Sequence, residues 1–207
     1  MSDSGTLSDQ KSTVYIVDDD QSIRRAMELL MRSVGREFEI FHSGDEFLES
    51  YTHERAGCLV LDIRMPGLGG LELQEKLLEM GSTLPIIFIT GHGDVPMAVE
   101  AMQKGAVDFI QKPFRDQELL DRIGEALKTD QERRSAQKQK AAVQDRIDKL
   151  TNREREVLDL VVTGKPNKII AYELDVSQRT VEIHRARVME KMQAKSLADL
   201  VKMHMVA

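Results

Sequence analysis

The sequence predicts an α/β fold, a doubly wound five-stranded parallel sheet, followed by a small all-α domain. Three observations predict it. Short apolar runs alternate with helix-period segments over the first 128 residues. A polar stretch rich in Gln, Lys and Arg interrupts them at 129–148. Only helical spacing follows, to residue 207.

Val14–Val17 reads as a buried strand, and Ile23, Met27, Leu30, Met31 and Val34 then recur at helical spacing. Phe38–Phe41 is a second strand, with Ser43 and Glu46 placed as a capping-box pair before a helix carrying Phe47 and Leu48. Cys58–Leu61 is the third strand, and Leu71, Leu73, Leu77 and Leu78 belong to the third helix. Pro85–Thr90 is the fourth strand, with a helix from about Pro96 to Lys104 and proline in its first turn. Val107–Ile110 and a helix over Asp116–Lys128 complete the set. Five strand–helix units joined by short connections imply a parallel, doubly wound sheet with both faces covered. Residues 1–12 are then a flexible N-terminus, 13–128 the α/β domain, and 129–148 an exposed helical linker. In the tail, 149–207, Thr151 and Glu154 form a second capping box, and that helix stops at Gly164. Asn167–Leu174 is a short helix, Asp175–Ser177 a turn, and Gln178–Met192 a helix capped by Ser177. A last helix runs from about Leu197 to Met205.

Composition narrows the function. The hydrophobic share is 41% and the charged share 31%, ordinary for a folded soluble chain. No apolar run approaches the roughly 18–20 residues of a membrane span, and residues 1–11 lack the apolar core of a secretory signal. The single Cys58 excludes a disulfide framework; it points to a reducing cytoplasm and reads as a packing residue. The net charge of −6 is uneven: residues 149–207 hold 11 Lys and Arg against 8 Asp and Glu, so a basic tail follows an acidic front. Such a tail suits an anionic partner such as DNA.

In a parallel sheet, chemistry is sought outside the carboxyl ends of the strands. Here the first strand ends in Asp18, Asp19 and Asp20, the third in Asp62, the fourth in Thr90, and the fifth leads to Lys112. Crowded carboxylates call for a cation, and hard oxygen ligands favour Mg²⁺. A carboxylate beside such a metal can attack a phosphoryl group, with a lysine to meet the charge on its oxygens.

The motifs around these residues resemble a response-regulator receiver domain. They are Val-Asp-Asp-Asp at 17–20, Leu-Asp-Ile-Arg-Met-Pro-Gly at 61–67, Thr-Gly-His-Gly-Asp at 90–94 and Lys-Pro-Phe at 112–114. The tail, with Leu-Thr-Asn-Arg-Glu-Arg-Glu-Val-Leu at 150–158, Asn-Lys-Ile-Ile-Ala at 167–171 and Thr-Val-Glu-Ile-His-Arg-Ala at 180–186, resembles a LuxR-type helix-turn-helix. Together they resemble the FixJ branch of two-component regulators, over nearly the whole chain after about residue 12. The resemblance implies a flavodoxin-like receiver in which Asp62 accepts a phosphoryl group from a sensor histidine kinase. Asp18, Asp19 and Asp62 would hold Mg²⁺ with the main-chain carbonyl of Arg64, Asp20 being the weakest candidate. Thr90 and Lys112 would contact the phosphoryl oxygens, the Lys112–Pro113 bond would be cis, and Phe109 would be an aromatic switch turning inward as Thr90 moves. The signal would reach a dimer surface around Val99, Gln103 and Asp108. Members of this branch place a cation near Gln103 to meet the acid at Asp108, and this chain departs from that. The implied partners are the kinase, double-stranded promoter DNA, a second copy of the chain and RNA polymerase, with no membrane. The implied role is a cytoplasmic transcription regulator, most simply an activator, that slowly hydrolyses its own aspartyl phosphate without being classed as an enzyme.

Helical arithmetic orients the third tail helix. With Val181 at zero, Val188 and Met192 fall within about 20° and form the buried stripe. Arg179, Ile183, Ala186, Arg187 and Glu190 lie opposite, with Glu182 at the flank. Such a face fits the major groove: Ile183 for a thymine methyl, Glu182 for a cytosine amino group, Arg187 for guanine or phosphate. Lys168, Arg179, Thr180 and Arg185 are placed as phosphate anchors, and His184 as a packed, hydrogen-bonded histidine.

Two rival classes fit less well. Haloacid-dehalogenase-like phosphatases need a second aspartate two residues after the nucleophile, where this chain has Arg64, and a cap domain for which there is no room. A nucleotide-binding module would carry G-x-G-x-x-G after the first strand or a Walker A sequence, and neither is present.

Overall fold

The computed structural model describes residues 12–91 and 95–206, without the side chain of Val95. Residues 1–11 of the expected N-terminus and His92–Asp94 of the third motif lie outside the described residues. The chain divides into two compact units after Arg133.

The first unit alternates β1 (Thr13–Val17), α1 (Gln21–Ser33), β2 (Phe38–Phe41), α2 (Gly44–Ser50), β3 (Gly57–Asp62), α3 (Gly70–Glu79), β4 (Ile86–Thr90), α4 (Val95–Gln103) and β5 (Asp108–Gln111), and then α5 (Asp116–Asp148) begins. All neighbouring strands are parallel, in the order β2-β1-β3-β4-β5. The period of two sorts each strand's side chains onto opposite faces. Tyr15, Val17, Leu59, Leu61 and Phe88 meet Phe47, Leu73, Leu77, Ala98 and Ala101 on one face. Val14, Ile16, Cys58, Val60 and Ile89 meet Met27, Met31, Leu119 and Ile123 on the other. The order in which successive strands are added reverses between β1 and β3, so the crevice at their carboxyl ends lies beside Asp18 and Asp62.

Local chemistry sets the helix starts. Asp20 caps α1 by accepting the Ser22 N–H at 2.7 Å, and Ser43 caps α2 by accepting the Glu46 N–H at 3.2 Å. The expected capping box at α2 is displaced: Glu46 accepts from the His42 N–H at 2.7 Å, one residue beyond the cap. Leu78 and Val34, placed among the apolar residues of these helices, are 48% and 45% exposed. Leu78 is one helical step beyond the Leu73–Leu77 stripe, and Val34 follows the last turn of α1.

The second unit contains the end of α5, then α6 (Asn152–Val162), α7 (Asn167–Glu173), α8 (Gln178–Met192) and α9 (Leu197–Val206). Thr151 and Glu154 form the expected capping box, the Glu154 carboxylate accepting the Thr151 N–H at 2.9 Å. Ser177 caps α8 through the Thr180 N–H at 3.0 Å.

Residues 129–148 are helical within α5, but they are not exposed throughout. Asp130 is buried in the first unit, where it accepts from the Gly57 N–H at 2.9 Å and Arg133 at 2.8 Å. Val143 and Ile147, one turn apart, are buried in the core of the second. Paired burial of an acid and a two-residue apolar stripe are both inconspicuous in a polar run. No helix among the described residues is long and apolar enough to cross a membrane.

Candidate functional site

The carboxyl ends of β1 and β3 bring Asp18 and Asp62 together, and the residue after β5 adds Lys112. The Lys112 Nζ lies 2.9 Å from Oδ2 of Asp18 and 2.9 Å from Oδ2 of Asp62. Asp18 is 1% and Asp62 8% exposed, so both carboxylates have lost most of their water. Burial pushes the Asp18 carboxyl above its ordinary value, against hydrogen bonds from Lys112 and the Asp20 N–H that pull it down. Burial alone would lower Lys112, but hydrogen bonds and charge from Asp62 and Asp18 prevail and hold its ammonium above the usual lysine range.

Carboxylate oxygens of Asp18, Asp19 and Asp62 all lie within 4.8 Å of one another. An all-oxygen, anionic donor set of this spread fits a hard divalent cation. Asp20 does not join it: its carboxylate is spent on the Ser22 N–H, which also holds its pKa below the ordinary value. The Arg64 N–H donates to Asp62 Oδ1 at 3.3 Å, which brings the backbone of residue 64 beside the site.

Two supporting residues escaped the sequence reading. Arg24, one turn into α1, donates to the Asp18 carbonyl at 2.7 Å and ties that helix to the strand end. Gly70 opens α3 directly against β3, where a Cβ would come within 2.3 Å of the Asp62 carbonyl oxygen. The Gly69-Gly70 pair, following a strand end, was the available signal for such a close approach.

Thr90 is buried at the end of β4, and its hydroxyl donates to the Ile110 carbonyl at a long 3.5 Å. Phe109, on β5, is 39% exposed, with its ring outward. The Lys112–Pro113 bond is cis. Val99 on α4 is 49% exposed and Gln103 is exposed. Asp108 pairs with Arg122 of α5 at 2.8 Å. The neighbouring Lys104 instead pairs with Glu75 and Glu100.

In the second unit, Val181, Val188 and Met192 of α8 are buried, as the helical arithmetic requires. Arg179, Glu182, Ile183, Ala186 and Arg187 are exposed on the same helix, and Lys168 is exposed on α7. Arg179 and Glu182 pair loosely at 3.6 Å. Arg185 is half-buried and donates to Asn167 Oδ1 at 3.0 Å, so it braces α8 against α7. Thr180 is also half-buried and shares a 2.8 Å hydrogen bond with the Ser177 hydroxyl. His184 is half-buried, and its Nδ1 has no hydrogen-bond partner among the described residues. Cys58 is fully buried, and loss of solvent pushes its thiol up to about 12, so it is an inert packing residue.

Comparison with known proteins agrees with this geometry. Residues 14–124 match the family described as the response regulator receiver domain, and residues 148–204 the bacterial regulatory proteins of the luxR family. The chain is 50% identical over 198 residues to Nodulation protein W of Bradyrhizobium diazoefficiens, covering 96% of this chain and 87% of that protein. It is 44% identical over 200 residues to the transcriptional regulatory protein FixJ of the same species, covering 95% and 96%. The solved structure of the response regulator StyR aligns with a TM-score of 0.88 at 46% identity, over 95% of this chain and 100% of that one. The chain therefore belongs to the two-component response regulators that join a receiver domain to a LuxR-type DNA-binding domain and regulate transcription.

Proposed function

We propose that Asp62 is the phosphoacceptor and that its phosphorylation by a sensor histidine kinase drives dimerisation and promoter binding. The observation that carries the reading is Lys112 bridging the Oδ2 atoms of Asp18 and Asp62 at 2.9 Å each, with Asp19 alongside. Asp18, Asp19, Asp62 and the Arg64 main-chain carbonyl would hold a Mg²⁺ ion, which would supply charge neutralisation at the phosphoryl oxygens. A carboxylate oxygen of Asp62 forms the new O–P bond as the N–P bond of the kinase's phosphohistidine breaks, and solvent protonates the leaving imidazole. The Lys112 ammonium pairs with one phosphoryl oxygen. Thr90, whose hydroxyl makes a long bond to the Ile110 carbonyl, turns to donate to another. Phe109 then moves inward from its exposed position, and the surface of Val99, Gln103 and Asp108 changes with it. The aspartyl phosphate is slowly hydrolysed in place.

In the second unit, α8 enters the major groove with Glu182, Ile183, Ala186 and Arg187 toward the bases. Lys168, Arg179, Thr180 and Arg185 anchor phosphates, with Arg185 doing so from its brace on Asn167. Dimers so placed recruit RNA polymerase and activate transcription in the cytoplasm. Intact-mass measurement after acetyl phosphate treatment tests the central assignment. Wild type gains one phosphoryl group only with Mg²⁺ present, and Asp62→Asn gains none; an undiminished adduct in the variant refutes it.

A further inference from the structure

The turn between β1 and α1 is closed by a chain of hydrogen bonds. The Asp18 N–H donates to the Phe41 carbonyl at 3.4 Å, at the end of the strand pair. The chain then folds back on itself. The Asp20 N–H donates to Asp18 Oδ1 at 2.8 Å, and Asp20 Oδ1 accepts the Ser22 N–H at 2.7 Å. The Arg24 N–H closes the first turn of α1 on the Asp20 carbonyl at 3.0 Å. Finally, Arg24 Nη1 reaches back to the Asp18 carbonyl at 2.7 Å.

The three acids of the cluster are held in different ways. Asp18 and Asp62 are buried, and Lys112 fixes an Oδ2 of each. Asp19 is exposed, yet its carboxylate lies within 4.8 Å of the other two. Burial does not hold that side chain, so its direction depends on its backbone. The Asp18 carbonyl and the Asp19 N–H belong to one rigid planar unit that ends at the Asp19 Cα. A donor fixed on that oxygen therefore fixes where the Asp19 side chain begins. The guanidinium suits this task, because it presents its donors in a rigid fork. Glu28, the carboxylate one turn further along α1, is engaged by Arg32 at 2.8 Å. By charge alone, a guanidinium beside a cation site weakens cation binding. Its hydrogen bond to the turn gives it the opposite effect.

We propose that Arg24 is a positioning residue for the cation site: through the Asp18 carbonyl it aims Asp19 at the ion that Asp18, Asp19 and Asp62 would hold. The proposal rests on the reading of these acids as a Mg²⁺ site. Residues that orient metal ligands in this way typically contribute about 10–100-fold to metal affinity.

Isotope-labelled full-length protein, titrated with MgCl2 and followed by backbone NMR, tests it. Arg24→Met keeps the apolar stem and removes both charge and donor. It should bind Mg²⁺ about tenfold more weakly or worse, and Arg24→Lys, which keeps a donor and the charge, should recover most of the loss. Without metal, the Asp19 amide resonance should shift in Arg24→Met and return toward its wild-type position in Arg24→Lys. If Arg24→Met does not fold, Arg24→Gln, whose side chain ends short of the Asp18 carbonyl, carries the same expectation. Mg²⁺ affinity equal to or tighter than wild type in these variants overturns the proposal, because charge removal alone tightens binding and a lower melting temperature alone leaves the affinity of the folded protein unchanged. Asp19→Asn separates the two readings. If it loses Mg²⁺ while Arg24→Met does not, the positioning role fails and the metal site stands. If it binds Mg²⁺ as wild type does, Asp19 is no ligand and both readings fail.

Discussion

Replacing Glu154 removes one carboxylate that fastens two helices of the DNA-binding unit. The residue is 2% exposed, and its Oε2 accepts from the Thr151 N–H at 2.9 Å and from Lys191 Nζ at 2.6 Å. It therefore joins the cap of α6 to the last turn of α8, the helix that carries Glu182, Ile183 and Arg187. Loss of the cap interaction costs about 1 kcal/mol. Loss of a charge-assisted hydrogen bond costs about 1.5–3 kcal/mol. Lys191 keeps the Lys149 carbonyl at 3.1 Å, and its side chain is 35% exposed, so water compensates it and the larger penalty for a stranded buried charge does not apply. Glu154→Ala should thus destabilise this unit by about 2–4 kcal/mol, and Glu154→Gln by about half of that, because the amide oxygen still accepts the Thr151 N–H. The pH dependence follows from the same bond. Lys191, the strongest influence, holds the Glu154 carboxyl below its ordinary 4.5 in the folded state. On acidification the unfolded chain takes up this proton first, so the contribution is complete above about pH 4.5 and is lost as pH falls through the lower folded value. Urea-dependent hydrogen exchange read by mass spectrometry separates α6 and α8 peptides from those of the sheet. If Glu154→Ala opens these helices no more readily than wild type, or if wild type and Glu154→Gln lose stability in parallel on acidification, the reasoning fails.

Lys168→Ala should weaken binding about equally on all duplexes and reduce the salt slope by about one. Ile183→Ala or Glu182→Ala should instead relax preference at one or two base positions, at a cost of about 1–3 kcal/mol on the best site; selection from a random duplex pool distinguishes the two behaviours. Val99→Asp should be phosphorylated like wild type yet remain monomeric by light scattering, and an unchanged dimer would move the interface elsewhere. Gly70→Ala should destabilise the receiver by about 1–3 kcal/mol and slow phosphoryl uptake, because its Cβ meets the backbone of Asp62, the residue whose carboxylate must stay in place. Thermal melting and acetyl phosphate kinetics on the same preparation check both effects.

The strands and most helix starts were legible because their causes are local. Apolar runs bounded by turns, Ser43, Thr151 and Ser177 at caps, and Gly164 after α6 all act within a few residues. The acidic cluster was legible for a different reason: a parallel sheet gathers every strand's carboxyl end on one edge, so Asp18, Asp62, Thr90 and Lys112 converge whatever the loops do. Pairings across long separations were not legible. Asp108 meets Arg122 on a helix the charge pattern did not connect to it, and Arg185, read as a phosphate anchor, also binds Asn167 eighteen residues earlier. Burial of Asp130 depends on a backbone N–H 73 residues away. Its own neighbours are polar, and nothing in their spacing distinguishes it from a solvated acid.

That Asp130 contact also says where the receiver can be cut. At the foot of β3, Gly57 adopts φ +137° and approaches β1 so closely that a Cβ would fall 1.8 Å from the Thr13 carbonyl oxygen. Its N–H is held by a carboxylate that lies beyond the last apolar residue of the receiver's α5 stripe, Leu127. A chimera that joins this receiver to a foreign output domain at residue 128 would delete that acceptor and strand a buried amide. A junction placed after Arg133 keeps both the acceptor and the arginine that orients it. Exchange of output domains, in the laboratory or in evolution, is therefore expected to favour breakpoints beyond this turn, inside a helix and not at the edge of the sheet.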